Sequence, residues 1–170
     1  MRNISLPVLY RATLPPTEGD FDEAAELRKL AGRITSAALA IEEVVVEIVS
    51  RTLLEEVRKH RALVIGSVLK SDWCSFAAKR KLLSLVIAEF KLLSGKPKTE
   101  LEEQLRKVMQ YRNAFAHGSL VHNVDVHELH YFEGTPRTVR LDDKYFEDLE
   151  HVFQTVWSRI QEVQSALARE

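Results

Sequence analysis

The sequence has a single cysteine, Cys74, among its 170 residues. One cysteine cannot form an intramolecular disulfide, and so low a content is typical of proteins from a reducing compartment. The longest apolar stretch, Leu82 to Phe90, contains a serine and a glutamate, whereas a helix that crosses a bilayer needs about 20 apolar residues. Residues 1–19 lack the cationic start and apolar core of a secretory signal. These absences predict a cytoplasmic protein with no membrane association.

The sequence also has no excess of charge of one sign. Its 24 basic and 25 acidic residues give a formal net charge of -1, which excludes the strongly basic class of nucleic-acid-binding proteins but leaves a local basic patch open. Neither a glycine-rich phosphate loop nor a serine nucleophile elbow is present, and we therefore expect no cofactor. The content of 45% hydrophobic residues is enough for the core of one domain of this length.

Apolar residues at helical spacing dominate what is present. A capping-box pattern at Asp20 and Glu23 predicts a long first helix that ends near Val57. Its apolar residues recur every seven positions, which favours packing along a near-parallel helix, either in the same bundle or in a second copy; they are Leu27, Ile34, Ile41 and Ile48. A short helix is expected over 63–69 and a longer one over 76–93. A third long helix should run from a capping box at Thr99 and Glu102 to His117, and a last helix should follow a cap at Asp142 or Asp143. We expect residues 1–19 to form an arm and 20–170 to form one domain.

The period of apolar residues drops from the helical value to two between about 121 and 141, on both sides of Gly134-Thr135-Pro136. Such alternation around a glycine and proline turn is typical of a β-hairpin. The predicted fold is therefore all-α, an up-and-down helical bundle with a small β-hairpin before the last helix.

The end of the third long helix carries the densest group of reactive side chains, in the stretch Tyr111-Arg112-Asn113-Ala114-Phe115-Ala116-His117-Gly118. Since each residue advances about 100° around a helix, Asn113 and His117 share a polar stripe with Arg106, and Arg112 falls within the apolar arc. A guanidinium stays charged and needs a partner there. We expect Arg112 to extend to the polar end of the bundle, to pair with Glu42, Glu43 or Glu47, or to lie in a groove shared with a second copy.

His117 ends this helix, and Gly118 is predicted to be its left-handed C′ residue. The negative end of the helix dipole favours a protonated imidazole, so the charge of His117 should change near physiological pH, as proton transfer requires. Arg112 can stabilise charge on a phosphoryl oxygen, and Asn113 can orient the histidine or the phosphate. The three residues predict a metal-free site for RNA cleavage by an adjacent 2′-hydroxyl. In the alternative interpretation, they only cap the helix, neutralise a carboxylate and bond to a loop.

The spacing Arg112-Asn113-x-x-x-His117, within this order of helices, resembles the Arg-x4–6-His motif of the HEPN superfamily. The resemblance implies a HEPN-type bundle over most of 20–168 and a metal-independent endoribonuclease, with Arg112 and His117 as catalytic residues and Asn113 in a supporting polar role. It also implies a homodimer in which two motifs form one composite site, with RNA as substrate, and a role in toxin–antitoxin or antiphage defence with a cognate antitoxin as partner. The alternative within the family is a non-catalytic module that binds RNA, a nucleotide or a protein.

Other polar groups are candidates for supporting roles. The run Lys79-Arg80-Lys81 is expected on the outward side of its helix, as a solvated face or, together with Arg106, as a contact for the RNA backbone. The polar residues His122, Asp125, His127 and His130 do not make a zinc ligand set, and we predict no metal site. Cys74 is expected to be a buried thiol, and Trp73 and Trp157 to fill a core or an interface.

Overall fold

The computed structural model describes residues 18–54, 60–71, 74–123 and 126–169, with the backbone alone at 18–24, 122 and 123. This part of the chain is mostly helical and contains a small three-stranded antiparallel sheet, so the predicted helical class is confirmed. The helices are α1 (Glu18–Leu53), α2 (Arg61–Val64), α3 (Phe76–Glu89), α4 (Gly95–His117) and α5 (Asp143–Leu167). The short α2 continues into a π-helical turn, Ile65–Leu69. None of these helices has the length and apolar content needed to cross a bilayer.

The helices begin and end at residues that differ from several predicted caps. The α1 helix begins at Glu18, so Asp20 lies inside it and is not its cap. The α4 helix begins at Gly95, which has a φ of 61°, and the hydroxyl of Thr99 donates to the Gly95 carbonyl from within the first turns. Proline is tolerated in the first turn of a helix, so α4 starts at Gly95 and includes Pro97. The predicted end of α1 near Val57 lies outside the described residues.

The last helix has the cap that the sequence predicts. The Asp142 side chain accepts a hydrogen bond from the backbone N–H of Tyr145 at 2.9 Å, and α5 begins at Asp143. An aspartate in this position satisfies one of the N–H groups that a helix start leaves without a partner in the helix. The predicted cap at Asp142 is therefore confirmed.

The sheet is larger than the predicted hairpin. Strands β2 (Val126–Glu133) and β3 (Thr135–Arg140) form a hairpin around Gly134, which has a φ of 69°. A third strand, β1 (Ser119–Asn123), follows α4 directly and pairs antiparallel with β2. We did not predict β1 because five residues are too few for alternation to identify a strand. With three strands, Leu129 in the central strand is fully buried.

The chain divides into two compact units. We call 18–36 with Tyr111–Leu149 the sheet unit, and Ala37–Gln110 with 150–169 the helical unit. The helical unit has an extensive apolar core, whose largest fully buried side chains include Ile48, Leu83, Ile87, Leu101, Leu105, Val156 and Ile160. The sheet unit buries a smaller set: Ile34, Ala114, Phe115, Val121, Leu129, Leu141 and Leu149. The seven-residue repeat of α1 is confirmed as a buried face, since Ile34, Ile41 and Ile48 are all buried.

Candidate active site at the end of α4

The three predicted catalytic residues belong to the sheet unit and occupy the last turns of α4. Asn113 and His117 are exposed, whereas Arg112, which was predicted to lie within the apolar arc, is half-buried. Ala114 and Phe115 are buried between them and hold this end of the helix in the core. The arrangement leaves the imidazole of His117 accessible from solvent.

Two of the three carboxylates that we expected for Arg112 are paired with lysines. Glu42 Oε1 lies 2.5 Å from Lys79 Nζ, and Glu43 Oε2 lies 2.5 Å from Lys70 Nζ. Both pairs belong to the helical unit. The pairing of Arg112 with a glutamate of α1 stays a prediction.

Gly118 follows His117, but it does not have the left-handed conformation that we predicted for it. Its φ is not in the left-handed region. A Cβ at this position would lie 2.3 Å from the Ala114 carbonyl oxygen, 2.8 Å from Leu129 Cδ1 and 3.0 Å from the His130 carbonyl oxygen. Only glycine fits so close an approach of helix and sheet. The Gly118 N–H also donates to the Ala114 carbonyl at 2.8 Å, so the backbone beside His117 is held on both sides.

Aromatic packing within the sheet unit anchors the same turns of α4. The Tyr111 and Tyr145 rings meet edge to face with centroids 5.8 Å apart, and Phe115 lies 6.3 Å from Tyr145. Burial raises the pKa of the Tyr145 hydroxyl, and the neighbouring Tyr111 and Tyr131 hydroxyls raise it further. Burial likewise raises the pKa of Tyr111. Because both phenols stay neutral at physiological pH, they position the helix end and do not supply charge to the site.

His117 lines an open groove of about 610 Å³ within the sheet unit. The groove also contains the guanidinium of Arg28 from α1 and the hydroxyls of Thr35 and Ser36. Its remaining wall is small or apolar: Ala31, Gly32, Phe115, Ala116, Gly118 and Leu120. Neither Arg112 nor Asn113 lines the groove. The structure therefore places His117 in one groove with an arginine that lies 89 positions earlier in the sequence. Sequence reasoning missed it because no local feature distinguishes Arg28 from the neighbouring Lys29 and Arg33.

Gly32 leaves the wall of this groove open. A Cβ added at Gly32 meets no atom within 4 Å, and Gly32 lies well inside α1. Glycine inside a helix is less stable than alanine by about 0.5–1 kcal/mol, and no packing contact of the described residues requires it here. An alanine here would stabilise the helix but narrow the groove, so glycine keeps the groove wider at this point.

The predicted basic patch is only partly exposed, and all of it lies in the helical unit. Lys79 was expected to face outward, but it is 7% exposed and pairs with Glu42, which is 9% exposed. The expected outward placement of Lys79 is therefore wrong, and its role as an RNA contact stays a prediction that its burial and pairing do not favour. Lys81 and Arg106 are exposed and Arg80 is half-buried, as contact with a ligand requires.

Other candidate groups have structural explanations. Cys74 is buried, as expected for a packed thiol. Among the residues that the structure describes, no three histidine, cysteine or acidic side chains lie close enough to hold a metal ion. His130 Nε2 instead lies 2.8 Å from Glu128 Oε2 on the same face of β2. Trp157 is 45% exposed, whereas Trp73 and Asp125 lie outside the described residues.

The chain matches no protein-family model, no curated protein and no solved structure at a significant level.

Proposed function

We propose that the protein is a metal-independent endoribonuclease of the HEPN type, with a HEPN-type helical bundle and a composite site made by two copies of the chain. The observation that carries this proposal is the setting of His117. Its imidazole is exposed at the edge of a groove that also contains a guanidinium, and its backbone is held by the close packing of Gly118. A proton-transfer group on a held backbone, in an open groove that also contains a cation, suits cleavage of a phosphodiester.

In this reaction the 2′-oxygen of the RNA attacks the adjacent phosphorus, and the bond from phosphorus to the 5′-oxygen breaks. The products are a 2′,3′-cyclic phosphate and a 5′-hydroxyl. One His117 accepts the proton of the 2′-hydroxyl, and the protonated His117 of a second copy donates a proton to the leaving 5′-oxygen. Arg112 stabilises the charge on the phosphoryl oxygens and Asn113 orients the reacting groups, while Arg28 binds an RNA phosphate in the groove.

The second candidate function is a non-catalytic module of the same fold that binds RNA, a nucleotide or a protein partner. The absence of Arg112 and Asn113 from the walls of the His117 groove favours this candidate. A homodimer in the cytoplasm is expected in both cases, and a cognate antitoxin protein is expected as partner if the protein is a toxin.

The test is cleavage of mixed single-stranded RNA by the purified protein in EDTA, with product ends analysed for 2′,3′-cyclic phosphate. We expect His117→Ala to lower the rate by about 10²–10⁴-fold, and Arg112→Ala also to lower it strongly. His151→Ala is the matched control, since His151 is an exposed helical histidine outside the sheet unit. Absence of cleavage for every RNA would contradict the ribonuclease assignment. Cleavage by the His117→Ala and Arg112→Ala variants at the wild-type rate would also contradict it. RNA binding without cleavage would support the second candidate.

A further inference from the structure

Arg80 is a partly buried arginine with very little bonding. It lies on α3 in the helical unit, and within the described residues its one hydrogen bond runs from Nη1 to the Met109 thioether sulfur at 3.7 Å. A guanidinium carries five N–H donors, and a thioether is a weak acceptor. Arg159 in the same unit shows the usual arrangement, since its guanidinium bonds to both Glu100 and Glu162. Arg80 therefore retains donors for a ligand that is not part of the chain.

The charges around Arg80 also favour an anion. Burial lowers the pKa of Arg80, and the nearby guanidinium of Arg106 on α4 lowers it further. Glu102 opposes this effect with its negative charge. However, Glu102 Oε1 already accepts a hydrogen bond from Ser84 at 2.5 Å and lies 3.9 Å from Lys98 Nζ. Arg80 contacts Met109, which lies one turn from Arg106 on α4, and the like charges of the two arginines favour binding of an anion beside Arg80.

A cleft of about 200 Å³ lies beside Arg80. Its polar lining consists of Arg80, Lys81, Ser84 and Glu102, and its apolar floor consists of Leu83, Ile87, Leu101 and Leu105. Pockets that enclose a drug-sized ligand measure about 300–1,000 Å³, so this cleft suits a single group and not a whole nucleotide. The bidentate geometry of arginine matches the oxygens of a phosphate.

We propose that Arg80 and Lys81 form a phosphate-binding site at this cleft, and that the positive charge of Arg106 nearby strengthens it. The phosphate is either a backbone phosphate of single-stranded RNA or free inorganic phosphate. The identification of the phosphate as part of RNA rests on the proposed function. The anion site itself does not depend on cleavage at His117. The site has the cationic residues of the predicted RNA contact without Lys79, whose charge is used inside the core.

The first measurement is thermal unfolding of the full chain in sodium phosphate and in sodium chloride at equal ionic strength. At a phosphate concentration ten times the dissociation constant, we expect the wild-type midpoint to rise by about 3–6 °C. The shift should be lost in Arg80→Gln and reduced in Arg106→Gln. Arg159→Gln is the matched control and should keep the full shift, since Arg159 is already bonded to two carboxylates. An equal shift in Arg80→Gln and wild type, or no difference between phosphate and chloride, would overturn the site.

The second measurement is the affinity for a fluorescent single-stranded RNA in which every 2′-hydroxyl is methylated, so that the strand binds but cannot be cleaved. The double variant Arg80→Gln, Arg106→Gln should bind about tenfold more weakly at low salt. Its slope of log affinity against log salt should be smaller by about 0.7, the value for one phosphate contact on a single strand. If this double variant binds the RNA normally but loses the phosphate shift, the site is confirmed and its ligand is free phosphate.

The two proposals fail in distinguishable ways. His117→Ala should lose cleavage and keep the phosphate shift, because His117 and the Arg80 cleft lie in different units. A protein that cleaves no RNA but shows a phosphate shift sensitive to Arg80 would refute the ribonuclease assignment and support the anion site. A protein that cleaves RNA but shows no phosphate-specific shift would refute the anion site alone.

Discussion

Replacement of Gly118 by alanine is the sharpest test of how the end of α4 is built. The added Cβ would lie 2.3 Å from the Ala114 carbonyl oxygen and 3.0 Å from the His130 carbonyl oxygen. Both are backbone atoms that belong to regular structure, so neither can move without disturbing α4 or β2. The third contact, Leu129 Cδ1 at 2.8 Å, belongs to a fully buried side chain.

The expected cost follows from these contacts. Inserting a methyl group into a packed region typically costs about 1–3 kcal/mol, and a clash with two backbone atoms should lie at or above the upper end. The smaller conformational freedom of alanine in the unfolded chain offsets only about 0.4–1 kcal/mol. We therefore expect Gly118→Ala to lower the free energy of unfolding by about 2–3 kcal/mol. For a chain of this size, that corresponds to a fall of about 4–12 °C in the unfolding midpoint.

The assay is urea unfolding followed by far-UV circular dichroism, with Gly32→Ala as the matched control. Gly32 lies in a helix and an added Cβ meets nothing within 4 Å, so this substitution should raise stability by about 0.5–1 kcal/mol. Equal midpoints for Gly118→Ala and wild type would show that α4 and β2 do not meet as closely as described. A loss of stability in both variants would show that both positions depend on glycine for another reason.

Three further outcomes are expected from the packing and charges of single residues. Lys79→Met should lower the free energy of unfolding by about 3–5 kcal/mol, because it leaves the buried Glu42 carboxylate without its lysine. In urea unfolding, the double variant Lys79→Met, Glu42→Leu should recover most of this loss. An equal loss in the single and double variants would contradict the role of the ion pair. Because the folded pKa of Tyr145 is raised above its ordinary value of 10.0, its stabilising contribution is complete below pH 10 and is lost as the pH rises above it. The free energy of unfolding of Tyr145→Phe should fall less than that of the wild type between pH 10 and 12. An equal fall in both proteins would show that ionisation of Tyr145 does not cause the loss. Asp142→Ala should cost about 1 kcal/mol through loss of the hydrogen bond to the Tyr145 N–H at 2.9 Å, whereas Asp142→Asn should cost much less.

Local signals in the sequence predicted the features that depend on neighbouring residues. Periodicity identified the buried face of α1, and the Asp142 cap and the turn at Gly134 were confirmed. Caps at Asp20 and Thr99 were wrong because a short pattern of polar residues recurs inside helices as well as at their ends. The placement of Arg112, Asn113 and His117 on a helix that ends at His117 was predicted from the same periodicity.

The sequence by itself determined that the chain is mostly helical and that its reactive side chains are concentrated at the end of α4. The tertiary structure alone decided which residues meet there. Gly118 is required by contacts with Leu129 and His130, and the groove beside His117 contains Arg28 from a distant helix. Lys79 is buried and paired with a carboxylate 37 residues away. Its neighbours Arg80 and Lys81 have the same charge but remain accessible. The physical reason is that helix period specifies which face of an element is apolar, whereas close approach, burial of a charge and the walls of a groove depend on which other element packs against that face.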